Sequence, residues 1–346
     1  MLSLLLFLLI TFILALVLTG FWIYLTRRWH LYAQVTHRSL HVSETPQSGG
    51  IAFMMSFFIG LGLYSTMNVV PVPVYLVFFL ASLLIALVGL IDDIFTLDAR
   101  WRLCCHALLV AFAMVCLGTV TQLPVGNSTL YLGYLAVPLT FLGLIWLVNL
   151  YNFMDGIDGL AGMEAIFVCL SAVLLMGPGF LQLKFLLLML AMTTLGFLAW
   201  NWAPAKVFMG DIGSGFLGFC FAGFILLSVN QHALSIWVWI ILLAVFWVDA
   251  TVTLVMRAKN RERLAEAHNL HAYQQLSKRW GSHARVVMLL AGINVFWLFP
   301  CAWIAATYSL YAALIVLIAA LPLVIFFIFQ GAGKRTSDST SLEGRQ

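Results

Sequence analysis

Residues 73–93 read PVYLVFFLASLLIALVGLIDD, nineteen uncharged and mostly apolar residues followed by two aspartates. A helix of about 20 apolar residues crosses the hydrocarbon core of a bilayer, so this stretch predicts a transmembrane helix with an acidic end. Ten further apolar runs occupy residues 2–25, 49–66, 103–121, 135–151, 160–177, 182–200, 212–229, 234–256, 287–307 and 310–330. The run at 135–151 is short for a span. The sequence therefore predicts an all-α polytopic membrane protein with ten or eleven transmembrane helices.

Composition excludes a soluble globular protein. The 346 residues are 63% hydrophobic and 9% charged, whereas soluble domains average about 25% charged residues. No long polar stretch separates a second domain, so we expect one membrane domain at 1–330 and a polar, disordered cytoplasmic tail at 331–346. The first run has no small-residue cleavage site, and we expect it to be a retained helix.

The basic residues predict the orientation. If the loops are numbered alternately from the N-terminus, every Lys and Arg except Lys184 falls on one side. By the positive-inside rule this side is cytoplasmic, which places the N-terminus outside and the C-terminus inside.

Five aspartates lie where apolar runs end: Asp92, Asp93, Asp155, Asp158 and Asp211. A carboxylate at membrane depth costs ~2.5 kcal/mol or more, so such residues generally have a function. All five fall on the predicted cytoplasmic side. Carboxylate oxygens suit Mg²⁺, and Mg²⁺ suits phosphate chemistry. The acidic pair also opposes the helix dipole, so we expect it to have a partner, either a metal or Arg100 and Arg102.

The stretch NLYNFMDGIDGLAG at 149–162 is the most specific of these motifs. Asn149, Asn152 and Asp155 are three residues apart, which puts them on one face of a helix. Amides and carboxylates together can bind a sugar or a base; the alternative is a polar loop between two helices. In FMGDIGSG (208–215), Asp211 opens a helix, as a metal ligand or as an N-cap. The spacing excludes the dinucleotide-fold and P-loop motifs.

The longest cytoplasmic loop, 257–285, contains His268 and His271, three apart as on one helical face. A zinc pair is one interpretation, but no Cys or third ligand stands at a usual spacing, and we favour contact with phosphate. Asp249, inside the preceding helix, either pairs with Arg257 or lines the site. The first cytoplasmic loop ends in TPQSGG (45–50), where Thr45-Pro46 interrupts a helix and the glycines begin the next one.

In the order and spacing of these motifs, the chain resembles the polyprenyl-phosphate N-acetylhexosamine-1-phosphate transferase superfamily, glycosyltransferase family 4. The motifs are TPxxGG at 45–50, DD at 92–93, NxxNFxDGxDGLA at 149–161, FMGDxGS at 208–214 and HxxH at 268–271. HRSLH (37–41) with ETPQSGG, and HAYQQLSKRWGSH (271–283), are most similar to the branch that initiates O-antigen synthesis. The resemblance implies an enzyme of the bacterial inner membrane that transfers sugar-1-phosphate from a UDP-N-acetylhexosamine to polyprenyl phosphate and releases UMP.

The resemblance also implies residue roles. Asp211 would bind Mg²⁺, for which Mn²⁺ could substitute, and Asp92 or Asp93 would meet the lipid phosphate. The expected catalytic residues are Asp92, Asp93, His268 and His271, with the two histidines at the diphosphate or sugar. The expected substrate-binding residues are Asn149, Asn152, Asp155, Asp158, Thr45 and Arg38. Arg38 is included because the TPQSGG loop lacks the basic residue of many relatives.

Alternatives remain within and outside this class. The peptidoglycan phospho-MurNAc-pentapeptide translocase belongs to the same superfamily, but its triple-histidine run is absent here. A transporter would place carboxylates near the bilayer midplane and often shows internal repeats; the sequence has no evident repeat, and its acids cluster at one face. Many relatives are dimers, so a homodimer is among the states that the resemblance allows.

Overall fold

The computed structural model describes residues 2–29, 45–262 and 268–334, and this part of the chain is almost entirely helical. The helices are α1 (Leu2–Trp29), α2 (Gly50–Met67), α3 (Val72–Phe95), α4 (Ala99–Leu117), α5 (Ala136–Met154), α6 (Leu160–Leu175), α7 (Leu181–Asn201), α8 (Gly210–Asn230), α9 (Ile236–Leu242), α10 (Ala244–Lys259), α11 (Ala272–Trp280), α12 (His283–Thr307) and α13 (Ala312–Phe329). Within these described ranges, nine helices are long and apolar enough to span a membrane, and α9 with α10 makes a tenth if counted as one bent span. The prediction of an all-α polytopic membrane protein is confirmed.

The span predicted at 234–256 is broken. Helices α9 and α10 meet at an angle of 73°, although neither Gly nor Pro lies at the break. The break frees backbone groups that lipid cannot hydrogen-bond. The indole of Trp247 donates to the carbonyl oxygen of Ile240 at 2.8 Å, so a side chain satisfies a group that the helix has released.

A short β-hairpin replaces part of the loop predicted at 122–134. Strands β1 (Gln122–Val125) and β2 (Ser128–Tyr131) pair antiparallel, and Trp237 of α9 donates its indole hydrogen to the carbonyl of Pro124 at 2.7 Å. The hairpin joins the end of α4 to the beginning of α5. It therefore lies at the end of the bundle opposite to the helix ends that carry Arg102 and Asn152.

Helix α8 is the central helix of the bundle, with nearly all its residues buried. It packs against α3 on one side and α5 on another. Phe216 makes edge contacts with Phe53 and Phe57 of α2, and Phe221 stacks on Tyr151 of α5. This packing fixes the N-terminus of α8 between the ends of its neighbours.

The boundary of the predicted tail differs from the expectation. Residues 331–333 are buried against the bundle, and Ala332 is fully buried. The backbone N–H of Gly333 donates to the carbonyl of Leu270 at 2.8 Å. The rest of the predicted tail, 335–346, lies outside the described residues.

Candidate functional site

Four helix ends meet at one end of the bundle. The last turn of α3 carries Asp92 and Asp93, the first turn of α4 carries Arg102, the last turns of α5 carry Asn152, and the first turn of α8 carries Asp211. Asp92, Asp93 and Arg102 lie within ten residues of one another, whereas Asn152 and Asp211 come from distant segments. The antiparallel order of the spans brings them into one polar cluster at the boundary of the apolar helices.

Asp93 holds the N-terminus of α8. Its carboxylate accepts hydrogen bonds from the backbone N–H of Asp211 at 2.8 Å and of Ile212 at 3.5 Å. It also accepts from the hydroxyl of Ser48 at 2.8 Å and from the amide of Gln47 at 3.3 Å. The first N–H groups of a helix have no partner within the helix, so an acid from another element can supply one. Asp93 therefore positions Asp211, and its catalytic role stays a prediction.

The TPQSGG segment pairs with the segment that precedes Asp211. Phe208 donates its N–H to the carbonyl of Pro46, and Gly49 and Gly50 donate to the carbonyls of Phe208 and Met209, all at 2.8–2.9 Å. A Cβ atom on Gly50 would lie 2.4 Å from the Cα of Gly213, so only glycine permits this contact. Helix α2 begins at Gly50, as predicted.

Two residues predicted from this loop have different outcomes. Thr45 is buried at the start of the paired segment, where its position beside the site is compatible with a role in shaping it. Arg38 lies outside the described residues. The substrate-binding roles assigned to both stay predictions.

Arg102 joins two of the predicted acids. One guanidinium nitrogen, Nη1, contacts the Oδ2 atoms of both Asp92 and Asp211, the latter at 3.0 Å. The second oxygen of Asp92 accepts from the backbone N–H of Leu97 at 2.7 Å. Negative charge is unfavourable at the C-terminal end of α3, and Arg102 provides the predicted positive partner for Asp92. Two carboxylate oxygens converge on a single point of positive charge.

Asn152 completes the polar cluster from α5. Its amide donates to the hydroxyl of Ser214 at 3.2 Å, and its side chain also reaches the carboxylate of Asp211. Asn149, one turn deeper, donates to the carbonyl of Ile145 at 2.8 Å and contacts His106 of α4. His106 is buried, and its Nδ1 has no hydrogen-bond partner among the described residues. None of the sequence motifs includes His106, and its place one turn after Arg102 is the only sequence feature that points to it.

Asp155 ends α5 as its C-cap residue. Burial and the neighbouring carboxylates of Asp211, Asp93 and Asp158 raise the pKa of Asp155 well above its usual value. A crowded group of acids disfavours further negative charge. A bound cation would therefore reduce the repulsion among these carboxylates.

Asp158 contacts two other parts of the fold. Its carboxylate accepts from the backbone N–H of Ala205 at 3.0 Å and lies 3.2 Å from Nδ1 of His283. These contacts tie the loop after α5 to the loop before α8 and to the first residue of α12. The geometry supports a scaffolding function, and the predicted nucleotide contact of Asp158 is untested.

His268 and His271 are neighbours, but not on one face of a helix as predicted. His268 lies in a non-helical segment and His271 is the residue before α11, and the ring centroids are 4.9 Å apart. Burial, with His271 and Arg257 nearby, lowers the pKa of His268 to about 3. His268 is therefore neutral at physiological pH and can serve as a hydrogen-bond donor or acceptor.

Asp249 organises the histidine segment, whereas Arg257 forms an ion pair with Glu262 at 3.1 Å. Its carboxylate accepts from the backbone N–H groups of Ala272 at 2.9 Å and Tyr273 at 3.0 Å, and lies 3.5 Å from Nδ1 of His271. The hydroxyl of Tyr273 donates to the carbonyl of Phe153 at 2.9 Å. This bond brings the histidines to the NFMDG segment that ends α5.

The residues at this helix end fit a hard divalent cation. No group of three or more His, Cys, Asp or Glu side chains arranged to hold a metal is found in the described ranges. Mg²⁺ commonly uses one or two carboxylates and completes its shell with water and substrate phosphates. Asp92 and Asp211 already direct oxygens at the same cationic nitrogen, and the side chain of Asn152 is adjacent. Oxygen donors of this kind suit Mg²⁺ and not a thiolate-preferring metal.

Comparison with known proteins identifies the family. The sequence model described as "Glycosyl transferase family 4" matches residues 75–229. A phospho-N-acetylmuramoyl-pentapeptide-transferase of Synechococcus sp. (strain JA-2-3B'a(2-13)) is 31% identical over 280 residues, 73% of this chain and 79% of the relative. The chain belongs to glycosyl transferase family 4.

Two further relatives of this family carry related names. A probable undecaprenyl-phosphate N-acetylglucosaminyl 1-phosphate transferase of Bacillus subtilis (strain 168) is 29% identical over 266 residues, 74% of this chain and 72% of the relative. A decaprenyl-phosphate N-acetylglucosaminephosphotransferase of Mycobacterium leprae (strain TN) is 28% identical over 301 residues, 77% and 75% of the two chains. The matched stretch 75–229 includes the motifs around Asp92, Asp155 and Asp211. It leaves out the TPQSGG loop and the histidine pair.

Proposed function

We propose that this family member transfers N-acetylhexosamine-1-phosphate from a UDP-sugar to polyprenyl phosphate. An oxygen of the lipid phosphate forms a bond to the β-phosphorus of the UDP-sugar. The bond from that phosphorus to the oxygen bridging the two phosphates breaks, and this oxygen leaves with UMP. The convergence of Asp92 and Asp211 on Arg102, at the boundary of the apolar helices, is the observation that carries the proposal. Water-soluble and lipid-bound phosphates can meet only at such a boundary.

The charges at this cluster suit phosphoryl transfer. The reaction depends mainly on positioning and on stabilising charge spread over phosphate oxygens. Arg102 supplies a guanidinium that can bind a phosphate in place of a carboxylate. Mg²⁺, held by Asp211 with Asp92 or Asn152, would supply further neutralisation when bound. A phosphate monoester is largely ionised at neutral pH, since its second pKa is near ~6, so Asp92 need only orient it.

The uridine and sugar would occupy the space beside the end of α5. Asn152 lies near the end of α5 and Asp155 is its C-cap residue. Tyr273 links the histidine segment to the same helix end through its bond to the carbonyl of Phe153. A neutral His268 can hydrogen-bond sugar hydroxyls or a phosphate oxygen. The proposed order along the site is therefore lipid phosphate at Asp92, diphosphate at Arg102 and Asp211, and sugar or base towards the histidines.

An apolar cavity beside α5 suits the lipid chain. It has a volume of about 400 Å³ and is lined by residues of α5, α9 and the hairpin region. Leu147 and Leu150 of α5 line it and flank Asn149 in the sequence. An isoprenoid chain in this cavity would leave its phosphate at the polar end of the same helix.

The proposed sidedness follows from the charges. We place the site at the cytoplasmic face of a bacterial inner membrane, with the N-terminus outside. With the shorter apolar helix α6 counted as a span beside the nine longer helices and the bent pair α9–α10, eleven spans separate the termini. Reporter fusions after Thr66 and after Lys334 should then report opposite sides of the membrane. The same location of both fusions would exclude this topology.

The glycan remains a choice between two pathways. The stretches HRSLH (37–41) with ETPQSGG, and HAYQQLSKRWGSH (271–283), favour an enzyme that initiates O-antigen or another surface glycan. The Synechococcus relative favours the muramyl-pentapeptide substrate as the second candidate, although His268-Asn269-Leu270-His271 replaces the triple-histidine run.

A substrate panel tests the proposal. The purified protein is incubated with polyprenyl phosphate, Mg²⁺ and, separately, UDP-GlcNAc, UDP-GalNAc, UDP-linked 6-deoxy-N-acetylhexosamines and UDP-MurNAc-pentapeptide, and UMP release is followed. Release that requires both lipid and an N-acetylhexosamine donor supports the first candidate. Release with the pentapeptide donor alone would select the second. If no donor gives UMP release under conditions in which a known enzyme of the family is active, both candidates are contradicted.

A further inference from the structure

The end of the described chain contacts the backbone between the two histidines. The N–H of Gly333 donates to the carbonyl of Leu270 at 2.8 Å, and the side-chain amide of Asn260 donates to the carbonyl of Gly333 at 3.3 Å. Leu270 lies between His268 and His271. The C-terminal segment, residues 330–334, thus bridges the end of α10 and the histidine segment.

This contact is closely packed. Gly333 has a φ of +68°, and a Cβ atom built on it would lie 2.6 Å from Cβ of Met256 and 2.9 Å from the carbonyl oxygen of Thr253. The neighbouring Ala332 is fully buried. Arg279 of α11 donates to the side chain of Gln330 at 3.2 Å. The segment therefore contacts α10, the histidine segment and α11 at once.

The histidine segment is held from two sides. Asp249 binds the first N–H groups of α11 and faces His271. The C-terminal segment binds the other side, at Leu270, whose own N–H donates to Nδ1 of His268 at 3.4 Å. Asp249 fixes the position of His271. The hydrogen bond from Gly333 to Leu270 fixes the backbone that contacts His268.

We propose that the C-terminal segment is a positioning element that sets the geometry of His268 for the nucleotide-sugar substrate. This inference rests on the proposed function. Because the segment acts on the histidines and not on the Arg102 cluster, its loosening should weaken use of the UDP-sugar and leave use of the lipid phosphate unchanged. The C-terminal segment is then part of the site.

Matched glycine substitutions test the proposal. Gly333→Ala is compared with Gly126→Ala in the hairpin, because both glycines have positive φ but only Gly333 has atoms close to an added Cβ. Gly333→Ala should raise KM for the UDP-sugar about tenfold or more, since small misplacements of binding groups are costly, with KM for the lipid unchanged. Asn260→Ala, which removes the donor to the carbonyl of Gly333, should act in the same direction.

A chemical readout separates positioning from general destabilisation. Carbethoxylation by diethyl pyrocarbonate, located by mass spectrometry, should become faster at His268 in Gly333→Ala and stay unchanged at the exposed His232. Equal KM values and equal His268 labelling in wild type, Gly333→Ala and Asn260→Ala would overturn the inference, as would equal effects on both substrates. A wild-type protein without activity on any UDP-sugar would refute the proposed function instead, and the labelling result would still decide whether the segment holds His268.

Discussion

Substitutions of Asp93 distinguish positioning from chemistry at the acidic pair. Asp93→Ala removes acceptors for two α8 amides and two side chains. Hydrogen bonds to charged groups contribute about 1.5–3 kcal/mol each, so the two at 2.8 Å together put the loss at about 3–6 kcal/mol. The freed N-terminus would also displace Asp211, and a shift of about 1 Å can cost about 10²-fold in rate.

Asp93→Asn should behave differently. Asparagine keeps a carbonyl oxygen for the N–H of Asp211, and its amide can donate to the hydroxyl of Ser48. Asn caps helices about as well as Asp, so we expect a loss of about 1 kcal/mol or less and activity within about tenfold of wild type. Asp92→Asn leaves the Asp93 carboxylate at the N-terminus of α8, so this variant is the matched control for the unfolding measurement.

The assay combines lipid-dependent UMP release with thermal unfolding in detergent. The expected order of activity is wild type, Asp93→Asn, then Asp93→Ala, with the unfolding midpoint following the same order. If Asn and Ala are equally inactive while both unfold like wild type, Asp93 is a base or a metal ligand, and the capping argument is refuted.

Three further predictions concern the other acids. Asp211→Asn should stay folded and membrane-inserted but lose Mg²⁺-dependent UMP release; activity with an unchanged Mg²⁺ requirement would remove Asp211 from the metal site. Asp92→Asn should show a deficit that is constant from about pH 6 to 8, across the second phosphate pKa, whereas recovery at high pH would identify Asp92 as a base. Asp155 has a raised pKa in the fold, so its favourable contribution is present below the unfolded pKa and is lost as pH rises through the folded pKa. Asp155→Asn should therefore raise the unfolding midpoint of the metal-free protein at neutral and higher pH but not in acid; a lower midpoint at neutral pH would contradict the crowding of carboxylates.

The sequence predicted the helices well because lipid imposes a length and an apolar composition on every span. The ends of α2, α6 and α8 agree within a few residues with the predicted runs, and Asp211 does begin a helix. The bend between α9 and α10 was not predictable, since no Gly or Pro marks it and the compensating bond comes from the side chain of Trp247. The hairpin of β1 and β2 lies between two apolar runs, where the sequence predicts only a loop.

For the site, the sequence predicts which residues come together but not what each of them contacts. The motifs around Asp92, Asn152 and Asp211 could be assembled in advance because each ends or begins a span on the same side. The roles within the cluster depend on contacts across the fold: Arg102 joins Asp92 to Asp211, and Asp93 serves α8. No spacing in the sequence encodes such contacts.

The fate of the β-phosphorus tests the central claim most directly. The protein is given polyprenyl phosphate and a UDP-N-acetylhexosamine labelled with ³²P at the β-phosphorus, and the lipid and aqueous phases are separated. Sugar-1-phosphate transfer predicts that the label enters the lipid product and that unlabelled UMP appears in equal amount. Label that remains in the aqueous phase as UDP, with an unlabelled lipid-linked sugar, would mean transfer of the sugar alone and would contradict the proposed reaction.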